Sequence, residues 1–110
     1  MNKLRRKGIR TNITKLHELI QIIKEMGLSD IEDKLADIIE DLEYFLSEEE
    51  CYRDNMPENL QNGFKYERAE EACDNLQDAV DTLAYIDSDD TVEDVINNIN
   101  EAVNCLYNAI

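Results

Sequence analysis

Histidine occurs once in this chain, at His17, and proline once, at Pro57. A di-iron carboxylate bundle needs two Glu-x-x-His motifs, so one histidine with no acid three residues before it excludes that chemistry. The cysteines, Cys51, Cys73 and Cys105, form no CxxC or other zinc spacing, and an odd number of scattered thiols is ordinary in a reducing cytosol. No apolar run approaches a membrane span, and residues 1–10 lack the apolar core of a secretory leader. A cytoplasmic location follows as the expectation, with Asn12-Ile13-Thr14 matching the glycosylation pattern by coincidence. Nucleophile elbow, catalytic triad and phosphate-binding loop are all missing, so a non-enzymatic protein without cofactors is expected.

Bases are scarce and unevenly placed. Residues 1–28 hold seven of the eleven (Lys3, Arg5, Arg6, Lys7, Arg10, Lys15, Lys24) against Glu18 and Glu25, a charge of +5. Residues 29–110 hold the other four against 24 acids, a charge of −20. Phosphate contacts need Lys and Arg, so direct nucleic-acid binding by this body is not expected. Its partners should be basic surfaces, cations or a second copy of the chain, and salt or a partner should relieve its self-repulsion.

No strand is legible, but four amphipathic helices are. The first is expected from about Asn12 to Met26, on Ile13, Leu16, Leu19, Ile20, Ile23 and Met26, with a left-handed stop at Gly27. Residues 1–11 read as a flexible basic segment outside a single helical domain of residues 12–110. The second helix starts at a Ser29–Glu32 capping box. It carries Ile31, Leu35, Ile38, Ile39, Leu42, Phe45 and Leu46, can continue through Tyr52 to about Asp54, and cannot pass Pro57. Residues Pro57 to Gln61 have room for one helical turn, with an exit at Gly63.

The third helix is expected from Tyr66 to Ile86. Ala69, Cys73, Leu76, Val80 and Leu83 form its core stripe, and Ala72, Ala79 and Ala84 allow close approach by a neighbour. Asp87-Ser88-Asp89-Asp90 breaks it. Thr91 caps the fourth, whose face is Val92, Val95, Ile96, Ile99, Ala102, Val103, Leu106 and Ile110. The fold expected is all-α: an antiparallel four-helix bundle or paired helical hairpins, with stripes on the second and third helices that also suit a homodimeric coiled coil.

One constellation stands out. Glu67, Glu71, Asp74, Asp78 and Asp81 step by 4, 3, 4, 3, about 200° around the third helix from the core stripe. They should point outward as a row with a mean rise of about 5 Å per charge, against about 3.4 Å per phosphate along a DNA strand. Such a row is either a solvated face or a nucleic-acid mimic that sits in a basic groove, with Asp37, Glu40 and Asp41 of the second helix in support. The paucity of interspersed Lys and Arg favours mimicry, since a solvated helix ordinarily mixes signs.

A competing pattern pairs Glu40-x-x-Glu43 with Glu71-x-x-Asp74. This resembles the ExxE…ExxD set with which all-α nucleotide pyrophosphohydrolases hold magnesium against a triphosphate. Such a site must face the bundle interior, whereas Glu71 and Asp74 lie opposite the core stripe. Asp87, Asp89, Asp90 and Glu93 do not fit a calcium loop, which needs a central glycine and a glutamate where Asn98 stands, so capping explains them better. The aromatics Tyr52, Phe64 and Tyr66 flank a corner that reads either as packed or as a tip presenting Met56 and Leu60.

The stretch Tyr52 to Gln61, then Tyr66-Glu67-Arg68-Ala69-Glu70-Glu71-Ala72 and Asp74-Asn75-Leu76-Gln77-Asp78-Ala79-Val80-Asp81, resembles a group of small acidic helical proteins from Gram-positive phages and mobile elements. Members often begin with a basic segment like Asn2-Lys3-Leu4-Arg5-Arg6-Lys7. The resemblance implies a setting in which small acidic proteins inhibit host nucleases, type II anti-CRISPR proteins among them. It makes a counter-defence inhibitor, acting on a basic channel such as that of an RNA-guided nuclease, the expected function. A homodimeric assembly protein and a magnesium-dependent pyrophosphohydrolase are the alternatives.

Overall fold

The computed structural model describes residues 1–87 and 89–110; Ser88, part of the expected break after the third helix, lies outside the described residues. Its elements are α1 (Lys3–Met26), α2 (Ile31–Asp54), a 3₁₀ turn (Glu58–Leu60), α3 (Phe64–Ala84) and α4 (Val92–Ala109). No strand occurs among the described residues. The helices form an elongated bundle of 52 × 21 × 18 Å. α1 and α3 each pack on α2 and α4, so α1 and α3 occupy diagonal corners. Arg5 meets Glu49 and Lys15 meets Asp41, which fixes α1 and α2 as antiparallel.

α1 begins nine residues before the expected start. Residues 1–11 are not a loose basic segment: the Asn2 side chain accepts the Arg5 N–H at 2.8 Å, capping a helix that runs unbroken from Lys3. Gly27 stops α1 with φ +77°, a conformation that glycine adopts without a Cβ penalty. The Ser29–Glu32 capping box does not form. Asp30 occupies the cap instead, at φ +63° and without a side-chain hydrogen bond. α2 reaches Asp54, and the single 3₁₀ turn falls within the span from Pro57 to Gln61. α3 starts at Phe64, two residues before the expected Tyr66. Thr91 caps α4 as expected, its hydroxyl accepting the Asp94 N–H at 3.1 Å.

The core is the sum of the four stripes. Ile9, Leu16, Leu42, Leu76, Val95, Ile99 and Leu106 are sealed from solvent at its centre. Each large aliphatic side chain buried this way stabilises the fold by about 1.5–3 kcal/mol. The small residues Ala69, Ala72 and Ala79 are buried between helices, whereas Ala84 is exposed. Met26, Tyr52 and Val92 continue their stripes in sequence but face solvent, each lying near a helix end where no neighbour covers it. The stripes of α2 and α3 are buried within the four-helix core of one chain.

Charge also enters the interior. Glu49 is 0% exposed, and the Arg5 Nε donates to its Oε2 at 2.8 Å. The Met1 amine lies 3.6 Å from the other carboxylate oxygen, and the Arg5 guanidinium stands over the Tyr52 ring at 5.8 Å. Two turns further along α1, the buried Asn12 amide donates to the Gly8 carbonyl at 2.9 Å. A Cβ at Gly8 would run into the Phe45 ring of α2, so any larger residue there requires that ring to move.

Candidate functional site

The outward face of α3 is built as its spacing requires. With Ala69, Ala72, Cys73, Leu76, Ala79, Val80 and Leu83 buried on one side, Glu67, Glu71, Asp74, Asp78 and Asp81 are all exposed on the other. None of the five belongs to an ion pair among the described residues. Gln77 Nε2 donates a hydrogen bond to Asp81 Oδ1 at 2.9 Å. Arg68, a base on the same helix, is turned over the Phe64 ring at 5.4 Å. Glu71 borders a cavity of about 40 Å³ with Arg6 and Arg68, so this end of the row has bases nearby and the Asp74 to Asp81 stretch does not.

The α2 acids are not brought to the same face. Asp41 lies 3.7 Å from Lys15, and Asp37 lines a groove of about 290 Å³ between α1 and α2 together with Lys15, Lys34 and Glu18. That groove carries both signs, and α1 stands diagonally across from α3. Glu40 is exposed, about 100° around α2 from Asp41. The row is therefore α3's own.

The four carboxylates of the pyrophosphohydrolase-like pattern, Glu40, Glu43, Glu71 and Asp74, are all exposed, and none faces the bundle interior. Between α3 and α4 the acids serve the turn itself: Asp90 Oδ2 accepts the Asp87 N–H at 3.0 Å and Asp87 Oδ1 accepts the Asp89 N–H at 3.2 Å. Burial pushes the Cys73 thiol up to about 11, and burial together with the Asp78 and Glu101 charges raises Cys105, while Cys51 is exposed. At the corner after α2, Met56 is half-buried and Leu60 and Phe64 are exposed, so the tip presents Leu60 with Phe64 rather than Met56 with Leu60.

Two features escaped the sequence. Glu49 sits in the run Glu48-Glu49-Glu50, which reads as solvated charge. Yet only position 49 extends the Leu42–Leu46 stripe by three, and only it is buried. The second is a cleft of about 340 Å³ where the start of α2 meets the end of α3, flanked by Tyr85. Its lining residues lie more than forty positions apart in the chain, so no local pattern marks it. No protein family matches the chain, nor does any curated protein or solved structure.

Proposed function

We propose that this protein is a non-enzymatic interaction module whose α3 face occupies a basic surface of a partner. Most concretely, it is a counter-defence inhibitor that covers the nucleic-acid channel of a bacterial nuclease. What carries the reading is one observation: five carboxylates in a continuous outward row, all exposed and none ion-paired among the described residues, on a helix whose whole opposite side is core. A rigid helix holds these charges at fixed intervals, so little ordering is required when a basic groove closes on them. An RNA-guided nuclease offers such grooves, rich in Lys and Arg along its heteroduplex channel and displaced strand. The resemblance to small acidic proteins of phages and mobile elements points the same way.

Attraction through such a row acts at a distance and raises the association rate more than it lengthens residence, so inhibition should weaken steeply with salt. The direct test is the charge-reversed variant Glu71→Lys/Asp74→Lys/Asp78→Lys in a nuclease inhibition assay with the RNA-guided enzyme of a Gram-positive host. Loss of inhibition with the fold intact by circular dichroism is expected; retained inhibition would remove the row from the mechanism.

A further inference from the structure

A row of exposed carboxylates steers a partner but holds it poorly, because each solvent-exposed ion pair adds little and binding must still offset lost translational and side-chain freedom. Protein interfaces draw their residence from a few apolar or aromatic anchors seated in pockets. The α2–α3 cleft lies where such an anchor would be needed. Tyr85 follows Asp81, the last acid of the row, by one helical turn and donates its N–H to the Asp81 carbonyl at 3.1 Å. Its side chain is 83% exposed, the most open large apolar group described. Ala84 stands about 60° around α3 from Asp81, on the side facing α2. Ala36, Ile39, Ala84 and Ile86 line the cleft together with the acids Glu32 and Asp87. At about 340 Å³ it is large enough for a leucine or phenylalanine side chain. Asp81, exposed on the same end of α3, stands one turn before Tyr85.

We propose that this cleft takes a large apolar side chain from a Lys- or Arg-rich partner segment lying along the α3 row, and so sets the register in which that segment binds. The inference rests on the reading of the row as a partner-binding face. The occupant's chemistry follows from the complement of the site: the apolar lining calls for an aliphatic or aromatic anchor, and the lining acids Glu32 and Asp87 call for flanking bases. The mixed-sign groove between α1 and α2 lacks this selectivity, since Lys15 and Lys34 stand in it beside Glu18 and Asp37.

Two Lys-rich peptides identical except for one central Leu or Ser test the proposal, by calorimetry and amide chemical-shift mapping at low ionic strength. The Leu peptide should bind at least about 10-fold more tightly, the effect of burying one leucine. Its extra shifts should centre on Ala36, Ile39, Ala84 and Tyr85. Tyr85→Ala should narrow the gap between the peptides, and Ala36→Arg should do so by placing a cation in the cleft; both positions are exposed, so the fold is not at stake. Equal affinity for the two peptides, or extra shifts centred on the α1–α2 groove, would overturn the anchor. The Glu71→Lys/Asp74→Lys/Asp78→Lys variant separates the two readings. Equal peptides that both lose binding to this variant sink the anchor and leave the row standing, whereas failure of either peptide to bind wild type at low ionic strength sinks both.

Discussion

The seam between α1 and α2 and the outer face of α3 are both made of charge, and they have opposite consequences. In the seam, one carboxylate, Glu49, is removed from solvent and held by Arg5. Five carboxylates on α3 are exposed and form no ion pair among the described residues. Taking a charge out of water costs several kcal/mol unless its partner stays in place. The seam therefore ties the basic start of the chain to the acidic body, and losing one partner should be felt by the whole fold. The row costs the fold only diffuse repulsion and stays available to an outside partner.

The largest effect should come from cutting the seam. Arg5→Ala leaves a buried carboxylate without its hydrogen-bonded partner and should lower stability by about 3–5 kcal/mol, read by urea denaturation. Replacing both partners, as Arg5→Met with Glu49→Leu, should be far milder. If Arg5→Ala alone costs under about 1 kcal/mol, the contrast drawn here fails. Next is the steric partner of the seam. Gly8→Ala forces a Cβ toward the Phe45 ring and should cost about 1–3 kcal/mol despite the better helix propensity of alanine. Phe45→Leu in the same chain should recover part of that loss, which a double-mutant cycle measures.

The row should behave otherwise. Glu71→Lys/Asp74→Lys/Asp78→Lys should shift stability by no more than about 0.5 kcal/mol per site while removing partner binding. A large loss of melting temperature would mean that the row supports the fold after all. Smallest of all is the exposed Lys15–Asp41 pair, half open on both sides, where Lys15→Ala should change stability by about 0–1 kcal/mol with the effect vanishing in salt.

The four helices were legible because their apolar residues recur at helical spacing with little interference: Leu16, Leu42, Leu76 and Ile99 each sit mid-stripe and all are buried. Gly27, Pro57 and Thr91 act through local backbone chemistry, and each falls at a helix end or corner as that chemistry dictates. The α3 row was legible for the same reason as its core stripe, since a helix that buries one face must expose the opposite one. The first turns of α1 were not, because Lys3, Arg5, Arg6 and Lys7 mask the positions that face inward. Ile9 and Arg5 in fact continue the stripe by fours back from Ile13, a signal that composition overrode. The Ser29–Glu32 box failed because Asp30 beside it supplied the left-handed residue that the tight link after Gly27 requires. Long-range features, the α2–α3 cleft and the burial of Glu49 by a residue 44 positions away, depend on which helices become neighbours.

The close approach at Gly8 offers a spectroscopic handle. One of its α-protons points where a Cβ would meet the Phe45 ring, so the ring current there displaces that proton's resonance from the ordinary glycine range. A single glycine signal thus reports whether α1 is seated against α2, residue by residue and in solution, without a label. Followed through a titration with salt or with a basic peptide, it would distinguish a partner that settles on α3 from one that pries the basic helix away.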